Sequence, residues 1–337
     1  MSKIYEALRQ AEMDRANSSV AESEVDQAAA GQDTSDPAPV PVYSSGVRTL
    51  TTVPPVARAI GDKAPPTPVT STKISANGVA DAGLDTAAID LSSVPQIEWT
   101  PSIHQLPALE ERGSSVEQFR SLRSRMQEFR DLNTLKSILI SSGLPQEGKS
   151  FVAANLAISF ARHKAGRVLL IDGDMRRATL HKLLGCPQGP GLTEYLSGDA
   201  SIVEIMQRPS SGEADRPLPH GLSSLTFIPA GTEHDKAADL SGNRRFERLI
   251  VAAAPHFDWI VVDSSPVNLV SDGVNLARAC DAVLLVARGG VTKFESAQRA
   301  LGELKASKVL GFVLNAVQNP PVAGGYYGYD GYDKIEE

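Results

Sequence analysis

An α/β fold, with a largely parallel sheet covered by helices on both faces, is predicted by three features of this 337-residue sequence. Short apolar, β-branched runs alternate with helical stretches. The first of those runs leads directly into a glycine-rich loop and a helix, and two later runs end in aspartate. Alternation at this spacing implies right-handed crossovers and parallel strand pairing.

The predicted strands are 137–140, 167–171, 225–228, 259–262, 282–286 and 309–314, and the predicted helices between them are 150–164, 244–254, 272–279 and 293–306. Ahead of this domain, 116–130 has a helical period that sets Phe119, Leu122, Met126 and Phe129 on one side. No 20–50-residue repeat is visible. Residues 111–318 are therefore read as one domain.

Residues 16–110 contrast with it. They are rich in Ala, Ser, Thr and Pro, with about half of the chain's 22 prolines, and large apolar residues recur there without period. Such a stretch buries too little to offset its ordering entropy, which predicts a disordered linker. Before it, 1–15 is a short predicted helix with Ile4, Leu8 and Ala11 on one face and Ser2 as N-cap. A lone helix of this length is marginal in water, so it is expected to dock on something.

Composition narrows the function. With 33 Lys+Arg against 40 Asp+Glu and a net charge of −7, nucleic acid is not an expected partner. Cys186 and Cys280 lack metal-type spacing, and no apolar run approaches the ~18–20 residues of a membrane span. A cytoplasmic protein is expected, reaching a membrane only through a partner or a peripheral contact.

Gly143-Leu-Pro-Gln-Glu-Gly148-Lys149-Ser150 carries the strongest chemical signal. It matches G-x-x-x-x-G-K-S in the strand–loop–helix setting that a phosphate-binding loop requires. Glycines let consecutive backbone N–H groups turn inward as an anion nest at the positive end of a helix. Gly143, Gln146, Glu147, Gly148, Lys149, Ser150 and Phe151 are the expected nucleotide contacts. Lys149 would reach the β- and γ-phosphates of ATP and the Ser150 hydroxyl would ligate Mg²⁺.

Ligands of open α/β sheets sit beyond the carboxyl ends of the strands. There, 168–171 leads to Asp172-Gly173-Asp174-Met-Arg176, and 259–262 leads to Asp263-Ser264-Ser265-Pro266. Asp263 is the expected holder of hydrated Mg²⁺. Asp172 and Asp174 alternate about Gly173 and so point to one side; one would accept the proton of an attacking hydroxyl and the other complete the metal shell. Arg176 would clamp phosphate oxygens.

Together these residues resemble the bacterial tyrosine kinases, the P-loop autokinases of capsule and exopolysaccharide systems. The resemblance runs from Ser115 to the C-terminus. It implies a P-loop NTPase-type sheet, Asp172 as base, Asp172 and Asp174 at the metal, and Asn315 of Leu314-Asn315-Ala-Val317 against adenine. It further implies that Glu117, Arg120 and Arg123, an E-x-x-R-x-x-R pattern, join neighbouring subunits of a ring; read without it, the same residues are internal charge pairs on a solvated helix face. The start of the chain resembles soluble members encoded with export machinery, which implies a separate membrane chain-length regulator (polysaccharide copolymerase) as partner, an inner-membrane periphery, and a cognate tyrosine phosphatase. The sequence departs from the family at Gln146, Ser264 and Ser265.

Four of the seven tyrosines, Tyr326, Tyr327, Tyr329 and Tyr332, lie among glycines in the last segment, 319–337. A flexible tail bearing clustered hydroxyls beside an ATP site reads as a phosphoacceptor, with a sticky assembly segment as the competing reading. Two other functions fit the loop: a partition- or division-type ATPase switch, and a nucleotide-binding scaffold without kinase activity. The switch proteins carry a second lysine early in the loop, where this chain has Leu144.

Overall fold

The computed structural model describes residues 48–49, 89–163, 166–210, 218–232 and 234–317. The predicted docking helix 1–15, most of the predicted linker and the tyrosine tail 319–337 lie outside the described residues.

The six predicted strands all form, as β3 (Ser137–Ser142), β4 (Val168–Asp172), β6 (Leu225–Ile228), β7 (Trp259–Asp263), β8 (Ala282–Arg288) and β9 (Val309–Asn315). They line up in the order β9-β8-β3-β7-β4-β6, every neighbouring pair parallel. A two-residue strand, β1 (Arg48–Thr49), adds antiparallel to β9 at the edge. The chain leaves β3 toward β4 on one side and later returns to lay β8 on the other, so β3 stands at the point where strand order reverses, the usual seat of a ligand in such sheets.

Alternation along each strand feeds two cores. Leu139, Ile171 and Ile260 enter one face; Ile138, Ile140, Leu170 and Val261 enter the other. The second face is covered by α1 (Ser114–Leu132) and α2 (Lys149–Ala161). Phe119, Leu122 and Met126 of α1 are buried as the helical period requires, while Phe129 is half-buried. Between α1 and the sheet, α2 is buried on nearly all sides, from Val152 through Ala161. Its Ala-rich sequence allows that close approach, and it is a core helix rather than an amphipathic one. The short helices α3 (Leu180–Leu184), α4 (Leu192–Ser197) and α5 (Ala237–Ser241) were not predicted. On the first face lie α6 (Arg244–Ala253), α7 (Asp272–Ala277) and α8 (Phe294–Glu303), close to their predicted spans.

The predicted linker boundary at 110 needs correction. Ile89, Val94, Trp99, Leu106, Ala108 and Leu109 are buried against the domain. Trp99 meets Phe227 edge-on at 6.2 Å. Asn155 of α2 accepts the Ala108 N–H (2.9 Å) and donates to the Gln105 carbonyl (3.2 Å). Gln96–Ile97 forms β2, parallel to β5 (Arg208–Pro209). The packed domain therefore begins by residue 89. Of these six residues only Ala108 and Leu109 lie in a regular element, one 3-10 turn, so no helical or strand period announces them.

Candidate functional site: a phosphate-binding loop at the strand ends

Between β3 and α2 the loop turns through two left-handed residues, Gln146 at φ 63° and Gly148 at φ 93°. Gly148 is required twice over. Its φ suits glycine, and a Cβ there would stand 1.9 Å from Asn315 Nδ2. Glu147 turns inward: its carboxylate accepts the Leu144 N–H (2.8 Å) and the Thr292 hydroxyl, and its carbonyl accepts Asn315 Nδ2 (3.0 Å). Burial lifts the Glu147 pKa against those hydrogen bonds.

From the next turn, Lys149 places its ammonium 2.8 Å from Asp174 Oδ2 and 3.4 Å from the Ser150 hydroxyl. Desolvation pulls the Lys149 pKa down, yet Asp263, Asp174 and Asp172 outweigh it and the ammonium is held charged. Asp174 also accepts the Ser265 hydroxyl (3.0 Å) and the Arg177 N–H (3.2 Å).

Asp172 and Asp263 are cross-strand partners at the ends of β4 and β7, and both are fully buried. Gly173 lets the backbones meet there, since a Cβ would lie 2.5 Å from the Asp263 carbonyl. Asp172 accepts the N–H groups of Asp174 (3.3 Å), Thr179 (3.2 Å) and Leu180 (3.1 Å). Burial and then the Asp263 charge hold its pKa well above the ordinary carboxylate range. Asp263 is different: neither oxygen has a hydrogen-bond partner of ordinary geometry. Burial raises its pKa to about 6, against the pull of Lys149 and the nearby Ser150 hydroxyl.

A cleft of about 410 Å³ opens above these groups. Of the predicted contacts, Gln146, Gly148, Lys149, Ser150, Phe151, Asp174 and Arg176 line it. Asp172 and Asp263 lie beneath as its buried floor, while the Gly143 backbone sits against Asn268 and Ser296. The Glu147 and Asn315 side chains do not line the cleft; they brace the loop from below, and Asn315 Oδ1 is taken by the Ala316 N–H (2.9 Å). Glu117, Arg120 and Arg123 sit away from the cleft on α1. Arg120 pairs with Glu117 and Arg123 donates to the Ser159 carbonyl (2.9 Å).

Sequence reasoning missed six contributing residues. Asp272 holds Arg176 Nε at 2.6 Å. Thr292 braces Glu147, Ser265 bridges to Asp174, and Pro266, Leu269 and Val270 supply an apolar wall. Only Ser265 carried a signal, as a departure inside a strand-end motif.

This fold and loop define a P-loop nucleotide-binding protein, with the phosphate nest at the reversal point of a parallel sheet. No family model matches the chain. It is 31% identical over 223 residues to the tyrosine-protein kinase YwqD of Bacillus subtilis, covering 65% of this chain and 89% of the relative. It is 32% identical over 226 residues to the tyrosine-protein kinase CpsD of Streptococcus agalactiae, covering 65% and 91%. The kinase domain of the Escherichia coli tyrosine kinase ETK superposes with a TM-score of 0.58 at 28% identity, over 67% of this chain and 85% of that one. The chain belongs to the bacterial tyrosine kinases. Some relatives are far longer: it spans 26% of the tyrosine-protein kinase ptk of Acinetobacter johnsonii and 29% of wzc of Salmonella typhimurium. Among the described residues no helix is long and apolar enough to cross a membrane.

Proposed function

We propose that the chain is a protein-tyrosine autokinase that transfers the terminal phosphoryl group of ATP to its own Tyr326, Tyr327, Tyr329 and Tyr332. The convergence of Lys149, Asp174 and the buried carboxylate of Asp263, which accepts no hydrogen bond of ordinary geometry, at the start of α2 carries this reading. A tyrosine hydroxyl oxygen bonds to the γ-phosphorus, the bond to the ADP oxygen breaks, and the hydroxyl proton passes to a carboxylate. Lys149 and the loop N–H groups neutralise the phosphate oxygens, which in a dry site is most of the catalysis available to such an enzyme.

Asp172 is the expected base, its pKa lifted by burial and by Asp263, with Asp174 on the cleft wall in front of it. Mg²⁺ suits the donor set. Among the described residues no three acidic or histidine side chains form a ready cage, but Mg²⁺ bound with substrate phosphates needs only one or two carboxylates. The Asp263 carboxylate and the Ser150 hydroxyl would hold it, with Asp172 and Asp174 completing its surroundings, and it would offset charge on the phosphates. Arg176, held by Asp272, is set to clamp a phosphate oxygen, and the apolar wall at Leu269 and Val270 suits an aromatic acceptor.

Around this chemistry we place a ring of subunits joined through Glu117, Arg120 and Arg123, and a membrane polysaccharide copolymerase engaged by residues 1–15. We add control of exopolysaccharide or capsule export, and a tyrosine phosphatase that resets the tail. Full modification adds roughly −6 to −8 of charge, beside Asp330, Asp333, Glu336 and Glu337, and repels the tail from an acidic site.

Incubation with Mg²⁺-ATP followed by mass-spectrometric mapping tests the reading. Phosphate is expected on the four tail tyrosines and is expected to vanish in Lys149→Met. ATP hydrolysis without self-modification would instead identify a switch, and binding with neither would identify a scaffold.

A further inference from the structure

Ser265, one of the positions where the sequence departs from the family, is buried two residues beyond the end of β7 and lines the nucleotide cleft. Its hydroxyl donates to Asp174 Oδ1 at 3.0 Å, where the Arg177 N–H joins it at 3.2 Å. The other oxygen, Oδ2, carries the Lys149 ammonium at 2.8 Å. The carboxylate is thus divided, with one oxygen held by the protein frame and the other given to a cation in the cleft.

The backbone that presents the Ser265 hydroxyl is itself clamped. The Ser265 carbonyl accepts the Ser141 hydroxyl of β3 (3.0 Å), and the Val267 N–H donates to the Ser142 carbonyl (2.9 Å). A Cβ at Gly273 would stand 2.6 Å from the Ser265 carbonyl, so α7 packs directly on this turn. A bound triphosphate competes with Asp174 for Lys149. Once the ammonium is engaged by phosphate oxygens, the Arg177 N–H and the Ser265 hydroxyl remain on Asp174. Arg177 belongs to the same turn as Asp174 and moves with it. Ser265 comes from the strand end that carries Asp263, so its hydroxyl ties one acid to the support of the other.

We propose that Ser265 is a positioning residue: it keeps Asp174 aimed at the divalent cation of the bound nucleotide after Lys149 has been drawn to the phosphates. The cation then meets Asp174 and Asp263 as one preset pair, and the ordering of the carboxylate is already done before the cation binds. The inference rests on the reading of the cleft as a Mg²⁺-nucleotide site and is independent of which hydroxyl accepts the phosphoryl group.

The test is equilibrium titration of the full chain with a non-hydrolysable ATP analogue, once in excess Mg²⁺ and once in EDTA. The ratio of the two Kd values measures what the cation adds. In Ser265→Ala that ratio should fall about tenfold, the scale of one charge-assisted hydrogen bond, while the affinity in EDTA stays within about twofold of the parent's. Asp174→Ala should lower the ratio as well, and combining it with Ser265→Ala should change the ratio by less than about twofold further, because the serine acts through that carboxylate. An unchanged ratio in Ser265→Ala would overturn the proposal. So would equal weakening in Mg²⁺ and in EDTA, the mark of a merely distorted loop, or an effect that adds in full to that of Asp174→Ala. A parent protein that binds the analogue equally in Mg²⁺ and in EDTA would remove the cation reading of the cleft, and this proposal with it.

Discussion

Replacing Asp263 by asparagine should make the unliganded protein more stable while disabling it. Asp263 is fully buried, accepts no hydrogen bond of ordinary geometry, and has its pKa raised from 3.8 to about 6. A carboxyl whose folded pKa lies above its unfolded value binds its proton more tightly in the folded state. Its ionisation therefore erodes stability as pH rises past about 4, with the full cost reached once pH exceeds about 6. At ~1.4 kcal/mol per pH unit of difference, that cost is about 3 kcal/mol at neutral pH. Asparagine keeps the shape and removes the charge. Lys149 then loses part of its compensation, so about 3 kcal/mol is the upper value.

At about 2–4 °C per kcal/mol for a domain of this size, the Asp263→Asn variant should melt ~6–12 °C higher at pH 7.5. The difference should close as pH approaches 4. Differential scanning calorimetry of parent and variant across that range, without Mg²⁺ or nucleotide, measures it directly. Addition of Mg²⁺-nucleotide should then raise the parent's melting temperature more than the variant's, because the carboxylate gains its counter-charge. A variant that melts at or below the parent at pH 7.5, or a gap that persists at pH 4, would refute the assignment of Asp263 as a strained, charge-seeking group.

Three other outcomes follow from the same geometry. Gly148→Ala should cost nucleotide affinity a hundredfold or more by equilibrium titration, since the added methyl meets Asn315 and the left-handed turn resists a side chain. Asp272→Asn should weaken nucleotide binding and lower kcat/KM for autophosphorylation about tenfold or more, because Arg176, the phosphate clamp, loses a charge-assisted bond worth ~1.5–3 kcal/mol. Thr292→Val should destabilise the domain by ~1–3 kcal/mol in urea melts, since buried Glu147 loses the hydroxyl that partly offsets its desolvation.

How much was legible beforehand depended on whether a residue spoke through local pattern. Strands and helices of ordinary length announced themselves by period, and the loop 143–150 and the acids at 172, 174 and 263 stood where strand ends put them. Those are consequences of chain order: a strand that enters a glycine loop and a helix has one way to present its N–H groups. Nothing local marked Asp272 as the anchor of Arg176, or Thr292 as the brace of Glu147, because their partners lie 96 and 145 residues away. Nor could residues 89–109 be read as part of the domain, since Trp99 and Leu106 fill gaps that exist only once β6, α1 and α2 have assembled.

The sequence by itself determined the class of sheet, the phosphate loop and the identity of its acids, since each rests on short-range spacing and backbone geometry. Tertiary structure alone decided which of those acids faces the cleft and which lies beneath it. It also buried Asp263 without a hydrogen bond of ordinary geometry, turned Glu147 and Asn315 inward, and brought three arginines together beside α2. Burial and charge proximity are sums over residues far apart in the chain, and they take their values only when the whole domain closes.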